Sequence, residues 1–168
     1  MKVVQSNNQN YTIGDVIVGS FAWQKMQRVK IGASDLKSFF KVDTSIPVPS
    51  SYYLGALGMP GMTAYFGFLD ICQPKEGEVV VVSAASGAVG SLVGQIAKIK
   101  GCKVIGISGS DENAQSLKDL GFDEVINYKH FNNDTYKLKE AIEKACYPKE
   151  GVDCYFDNVG GFILDAGE

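Results

Sequence analysis

From residue 62 onward the apolar positions follow a repeating order. A short run that is apolar at every place gives way to a turn of small or polar residues, then to a stretch with apolar residues three and four apart. "EVVVVS" predicts a strand over 78–83, and "AVGSLVGQIAKIK" predicts a helix over 88–100. The order then repeats: strand 103–108 and helix 111–120, strand 124–127 and helix 135–146, strand 152–157 and a helical start near Phe162. Ahead of the first strand, "MTAYFGFLDIC" has helical spacing and stops at "QPKEGE", a turn carrying Pro74 and Gly77. Strands that are apolar on both faces belong inside a parallel sheet covered by helices on each side. The predicted fold class is therefore α/β, a doubly wound parallel sheet.

The first third has no such regularity. Two short β-rich segments, at about residues 2–5 and 15–21, flank an Asn-rich turn, and "SDLKSFFKVD" predicts one short helical turn. "TSIPVPSSYYLGALGMPG" holds three prolines and three glycines, and marks a change of unit. The expected division is a β-rich part over 1–57 and an α/β part over 58–168.

Composition narrows the function. The 168 residues are 45% hydrophobic and 21% charged, with 16 Lys and Arg against 19 Asp and Glu, a formal net charge of −3. No global positive field would draw the chain to nucleic acid or to an anionic membrane. The first twenty residues lack the apolar core of about 7–15 residues that a signal peptide needs. No apolar run approaches the length of a membrane span. Cys72, Cys102, Cys146 and Cys154 form no CxxC pair, and are expected to be reduced and mostly buried, as in a cytoplasmic protein. No metal site is expected.

The candidate chemistry lies in the turn "SAASGAVG". Ala85, Ser86, Gly87, Ala88, Val89 and Gly90 align with the dinucleotide fingerprint GxGxxG, alanine standing for the first glycine. The turn follows a strand and opens a helix, as the fingerprint requires. Gly87 would let the backbone approach a pyrophosphate, Gly90 would let helix pack on strand, and the helix start would offer N–H groups to the anion. An NAD site usually carries a carboxylate at the end of the next strand. Here that end reads Ser108, Gly109, Ser110, small and neutral, which favours a phosphorylated ribose and so NADP. Asp111 or Ser110 is read as a helix cap. His130, the only histidine, is read as a surface residue with no general-base role.

Several segments in the same order, "GMPGMTAYFGFLDIC", "SAASGAVGSLVGQIAKIKGCKVIG", "GSDEN", "LGFDEVINYK" and "DCYFDNVGG", closely resemble the prostaglandin reductases and alkenal double-bond reductases. These form a zinc-independent branch of the medium-chain dehydrogenases/reductases. The resemblance implies a Rossmann-like domain, incomplete at its C-terminus, behind a remnant of a β-rich, GroES-like catalytic domain. It also implies NADPH-dependent reduction of the C=C bond of an α,β-unsaturated ketone or aldehyde, a small-molecule partner, and a homodimer of the kind relatives form; the alternatives are an NADP-binding module without catalysis and a quinone reductase of the same superfamily. Gly87, Ala88, Val89 and Gly90 would hold the pyrophosphate, Tyr128 would lie by the adenosine phosphate, and Asn158 would hydrogen-bond the cofactor. Thr63, with Tyr65, would border the nicotinamide. Tyr128 also reads as an aromatic at a strand end, Asn158 as a turn former after Asp157, and Thr63 as a packing residue. One departure is Asn113, where the family commonly has the lysine that pairs with the 2′-phosphate. Losing that contact would weaken NADPH by roughly 1.5–3 kcal/mol unless a neighbour such as Lys129 replaces it. The family's substrate-side tyrosine has no counterpart in these residues, so the catalytic residue is unknown, and the chain alone is expected to be a poor catalyst.

Overall fold

The computed structural model describes all residues except 33, 34, 36 and 37. It divides into two compact units, Met1–Gly58 and Met59–Glu168.

In the first unit Lys2 bridges Val16, and β1 (Ile17–Val18) pairs antiparallel with β2 (Phe40–Lys41). Buried Tyr11, Ile17, Val42 and Tyr53 form its small core. Tyr11 Oη donates to Phe39 O at 2.7 Å and Tyr53 Oη to Asp43 O at 3.0 Å, so each ring is buried with its hydroxyl satisfied. The helical turn expected over 34–43 falls partly outside the described residues. Within them, Phe40 and Lys41 are a strand instead, because β1 needs a partner and β2 supplies it.

The second unit holds α1 (Met59–Phe66) and a π-helical turn (Gly67–Cys72), then β3 (Val79–Val82), α2 (Gly90–Ile99), β4 (Lys103–Ser108) and α3 (Glu112–Asp119). β5 (Glu124–Asn127), a 3-10 turn (Tyr128–Phe131), α4 (Thr135–Cys146), β6 (Cys154–Phe156) and α5 (Gly161–Asp165) follow. The sheet runs β5–β4–β3–β6, all parallel. This is the doubly wound order, with its switch of direction between β3 and β6.

The four valines of β3 are completely buried, and alternation sends them to opposite faces. Val80 and Val82 pack with Ala64, Phe68, Val93 and Phe122 on the side of α1 to α3. Val79 and Val81 pack with Leu138, Ile142 and Ile163 on the side of α4 and α5. Burying a valine contributes about 1.5–3 kcal/mol, so this strand anchors both layers. Asp134 caps α4 by accepting from Lys137 N at 3.1 Å. Cys102, Cys146 and Cys154 are buried, and burial pushes all three thiols up, which keeps them protonated. Among the described residues no helix is long and apolar enough to cross a membrane.

Candidate functional site

The carboxyl ends of β3, β4 and β6 meet at the switch point, where open α/β sheets bind ligands. The turn after β3 is closed by its own backbone. Ala84 takes a left-handed φ of 45°, Ala85 N donates to Ile107 O at 3.0 Å, Gly87 N to Ala84 O at 2.9 Å and Ser91 N to Gly87 O at 3.0 Å. The left-handed residue is thus Ala84, and buried Ala85, at the fingerprint's first glycine, needs no such conformation. A Cβ on Gly90 would lie 2.5 Å from Ala84 O and 3.0 Å from Ala85 Cα; the turn and α2 touch at backbone level.

The amide N–H groups of Ala88, Val89 and Gly90 have no hydrogen-bond partner among the described residues. They stand at the start of a ten-residue helix, beside exposed Ser86, Gly87 and Ala88. Orphan donors and the positive end of the helix dipole together suit a phosphate.

Ser83, fully buried at the end of β3, ties the neighbouring loop down. Its Oγ donates to Asp157 Oδ1 at 2.8 Å and accepts from Asn158 N at 2.7 Å, while Asn158 Nδ2 donates to Ser83 O at 2.8 Å. Asp157 also accepts from Val159 N at 3.2 Å and Gly160 N at 2.8 Å. The loop then leaves through Gly160 and Gly161, both with positive φ, a pair that residues with a Cβ would resist. Asn158 is therefore a latch to β3 whose Oδ1 faces no described partner, and it still offers an acceptor. Ser83→Ala is expected to cost about 1–3 kcal/mol, since it removes a buried donor–acceptor pair. Urea denaturation measures this, and an unchanged midpoint would show that the latch contributes nothing.

At the end of β4, Asn113 Nδ2 donates to Ser86 Oγ at 3.2 Å and Ser108 Oγ at 3.3 Å, joining three neutral groups. Tyr128 hangs over the same end: a Cβ on Gly109 would come within 3.0 Å of its hydroxyl. Its ring packs edge-on to Phe162 at 6.0 Å. Asp111 is turned toward β5, accepting from Asn127 Nδ2 at 2.8 Å and lying 3.0 Å from His130 Nε2. The Asn127 hydrogen bond first, and His130 second, hold the Asp111 carboxyl below the usual carboxylate range. Lys129 is exposed and forms no ion pair among the described residues.

The expected residues are thus brought together unevenly. Gly87 to Gly90 form the turn, Asn113 and Tyr128 gather at the end of β4, and Asn158 reaches β3. Thr63 stands apart: its hydroxyl donates back to Met59 O at 2.8 Å within α1 and makes no hydrogen bond to the turn. Sequence reasoning missed Ser83, whose place at the end of a valine run hinted at a buried polar group needing a partner. It also missed the Asp111–His130 contact, which no spacing announces.

Comparison with known proteins agrees with this geometry. Residues 88–166 match the family described as zinc-binding dehydrogenase. The chain is 48% identical over 167 residues to prostaglandin reductase 1 of Sus scrofa, covering 98% of this chain and 47% of that one. It is 46% identical over 166 residues to the 2-alkenal reductase (NADP(+)-dependent) of Nicotiana tabacum, covering 98% and 45%. The solved structure of CurA in complex with NADPH from Vibrio vulnificus superposes with a TM-score of 0.78 at 43% identity, covering 98% and 45%. The chain belongs to the medium-chain dehydrogenase/reductase family. Within that family it falls on the zinc-independent branch of the prostaglandin and alkenal reductases. This dehydrogenase/reductase chain spans just under half the length of those relatives. Although its family description names zinc, no three His, Cys, Asp or Glu among the described residues are grouped to hold a metal ion.

Proposed function

We propose that these residues form the NADP-binding part of a reductase acting on the C=C bond of α,β-unsaturated ketones and aldehydes. The observation that carries the reading is the turn 84–90, with free amides at the switch point, next to a β4 end where Ser86, Ser108 and Asn113 gather as neutral groups and Asp111 is turned toward β5. The names of the porcine and tobacco relatives, and the NADPH held by CurA, support it.

NADPH, when bound, supplies the hydride. The chain's own residues bind and orient it. Ala88, Val89 and Gly90 amides take the pyrophosphate, while the hydroxyls of Ser86 and Ser108, the Asn113 amide, Tyr128 and Lys129 surround the adenosine phosphate. Asn158 Oδ1 accepts from the nicotinamide side while its Nδ2 keeps the loop on β3. Residues 1–57 belong, on this reading, to a substrate-shaping domain. Reduction also requires the enone to be held over the nicotinamide, a task separate from binding the cofactor.

Titrating the purified chain with NADPH and then NADH, by nucleotide fluorescence, tests the cofactor reading. Saturable binding that prefers NADPH is expected, and absence of NADPH binding overturns it. Adding an alkenal and following NADPH oxidation tests the second part. Turnover that needs both the alkenal and NADPH would support the reductase reading, and NADPH oxidation that is independent of the alkenal would count against it.

A further inference from the structure

Asp111 is the first carboxylate after β4, about 20 residues beyond the phosphate turn, where an acid in an NAD site accepts from the ribose hydroxyls. Its geometry here does not suit that task. Oδ1 is taken by Asn127 Nδ2 at 2.8 Å and Oδ2 by His130 Nε2 at 3.0 Å, so one oxygen is engaged with the last residue of β5 and the other with the turn that follows it. Asn127 holds that segment in place: its Oδ1 accepts from Lys129 N at 3.1 Å as the cap of the 3-10 turn that carries His130. The neighbouring charges on the two segments are Glu112 and Lys129.

We propose that His130 is a specificity-determining residue: with Asn127 it engages each oxygen of Asp111 once and turns the carboxylate toward β5, away from a ribose 2′-hydroxyl or 2′-phosphate at the end of β4. This inference rests on the NADP reading above. Nε2 carries a proton in the charged imidazole and in one neutral tautomer, so His130 serves as donor in both. Asp111 remains ionised, being held below the ordinary carboxylate range by these bonds. The selection therefore comes from where the charge is directed, and not from the absence of an acid.

The test is a pair of dissociation constants, for NADPH and for NADH, measured by fluorescence at one pH and ionic strength. Wild type, His130→Ala, Asp111→Asn and the double variant would be compared. Both side chains are well exposed, 62% and 68%, so folding is expected to survive, and circular dichroism checks it. His130→Ala is expected to lower the NADPH-over-NADH preference about two- to fivefold, the scale of an exposed ion pair. Asp111→Asn is expected to keep the preference, and His130→Ala added to it is expected to change nothing more. An unchanged preference in His130→Ala overturns the inference. So does an equal loss with and without Asp111, which would make His130 a direct phosphate ligand. Failure of wild type to bind NADPH sinks the cofactor reading itself, whereas NADPH binding with no effect of His130 sinks only this inference.

Discussion

Gly90→Ala is expected to weaken NADPH binding at least about tenfold, equivalent to some 1.4 kcal/mol, and to lower stability by about 1–3 kcal/mol. The added methyl would stand 2.5 Å from Ala84 O and 3.0 Å from Ala85 Cα. Both obstacles are backbone, so no rotamer change relieves them, and either the turn or the first turn of α2 must move. Ala84 already occupies a left-handed conformation, which leaves the turn little room to adjust. Any shift misdirects the free amides of residues 88–90, the groups proposed to take the pyrophosphate. Fluorescence titration reads the binding and urea denaturation the stability. Gly87→Ala is the control: its methyl would be 3.1 Å from Ala84 O, a contact a small adjustment can absorb, so a milder loss is expected. Equal and small effects at both positions would show that the approach at Gly90 is not needed.

Phe122→Ala is expected to cost about 3–5 kcal/mol, the usual price of emptying a buried aromatic site. Phe122 is 3% exposed and its ring occupies the space left by two glycines. A Cβ on Gly94 of α2 would fall 2.0 Å from the ring, and one on Gly106 of β4 would fall 2.9 Å from it. The ring therefore spaces helix from sheet immediately behind the turn. Since a domain has about 5–15 kcal/mol in total, the substitution would remove a large part of the stability of the second unit. Phe122→Leu, which keeps most of the volume, is expected to cost less than about 2 kcal/mol. Thermal or urea unfolding distinguishes these, and similar midpoints for wild type and Phe122→Ala would refute the packing argument.

The sheet was legible because its strands are buried on both faces and so read as unbroken apolar runs. β4, β5 and α4 occur with the expected bounds, and β3, α2, α3 and β6 differ only at their ends. At the candidate site, the close packing of helix on turn at Gly90 was legible because it follows from local chain chemistry. The site was not legible where contacts join distant segments. Ser83, Asp157 and the pairing of Asp111 with His130 depend on which strands become neighbours, and no local pattern encodes that. β2 escaped notice because a two-residue strand has no periodicity and takes its structure from its partner.

The Ser83 hydroxyl joins positions 74 residues apart in the chain. Such a contact can form only after the intervening strands have been arranged, because the entropy of closing so long a loop must first be offset by the sheet. The contact is thus a late event in folding. A chain that has assembled β3, β4 and β5 has the turn 84–90 but not the loop beside it, and the crevice is completed by the docking of β6.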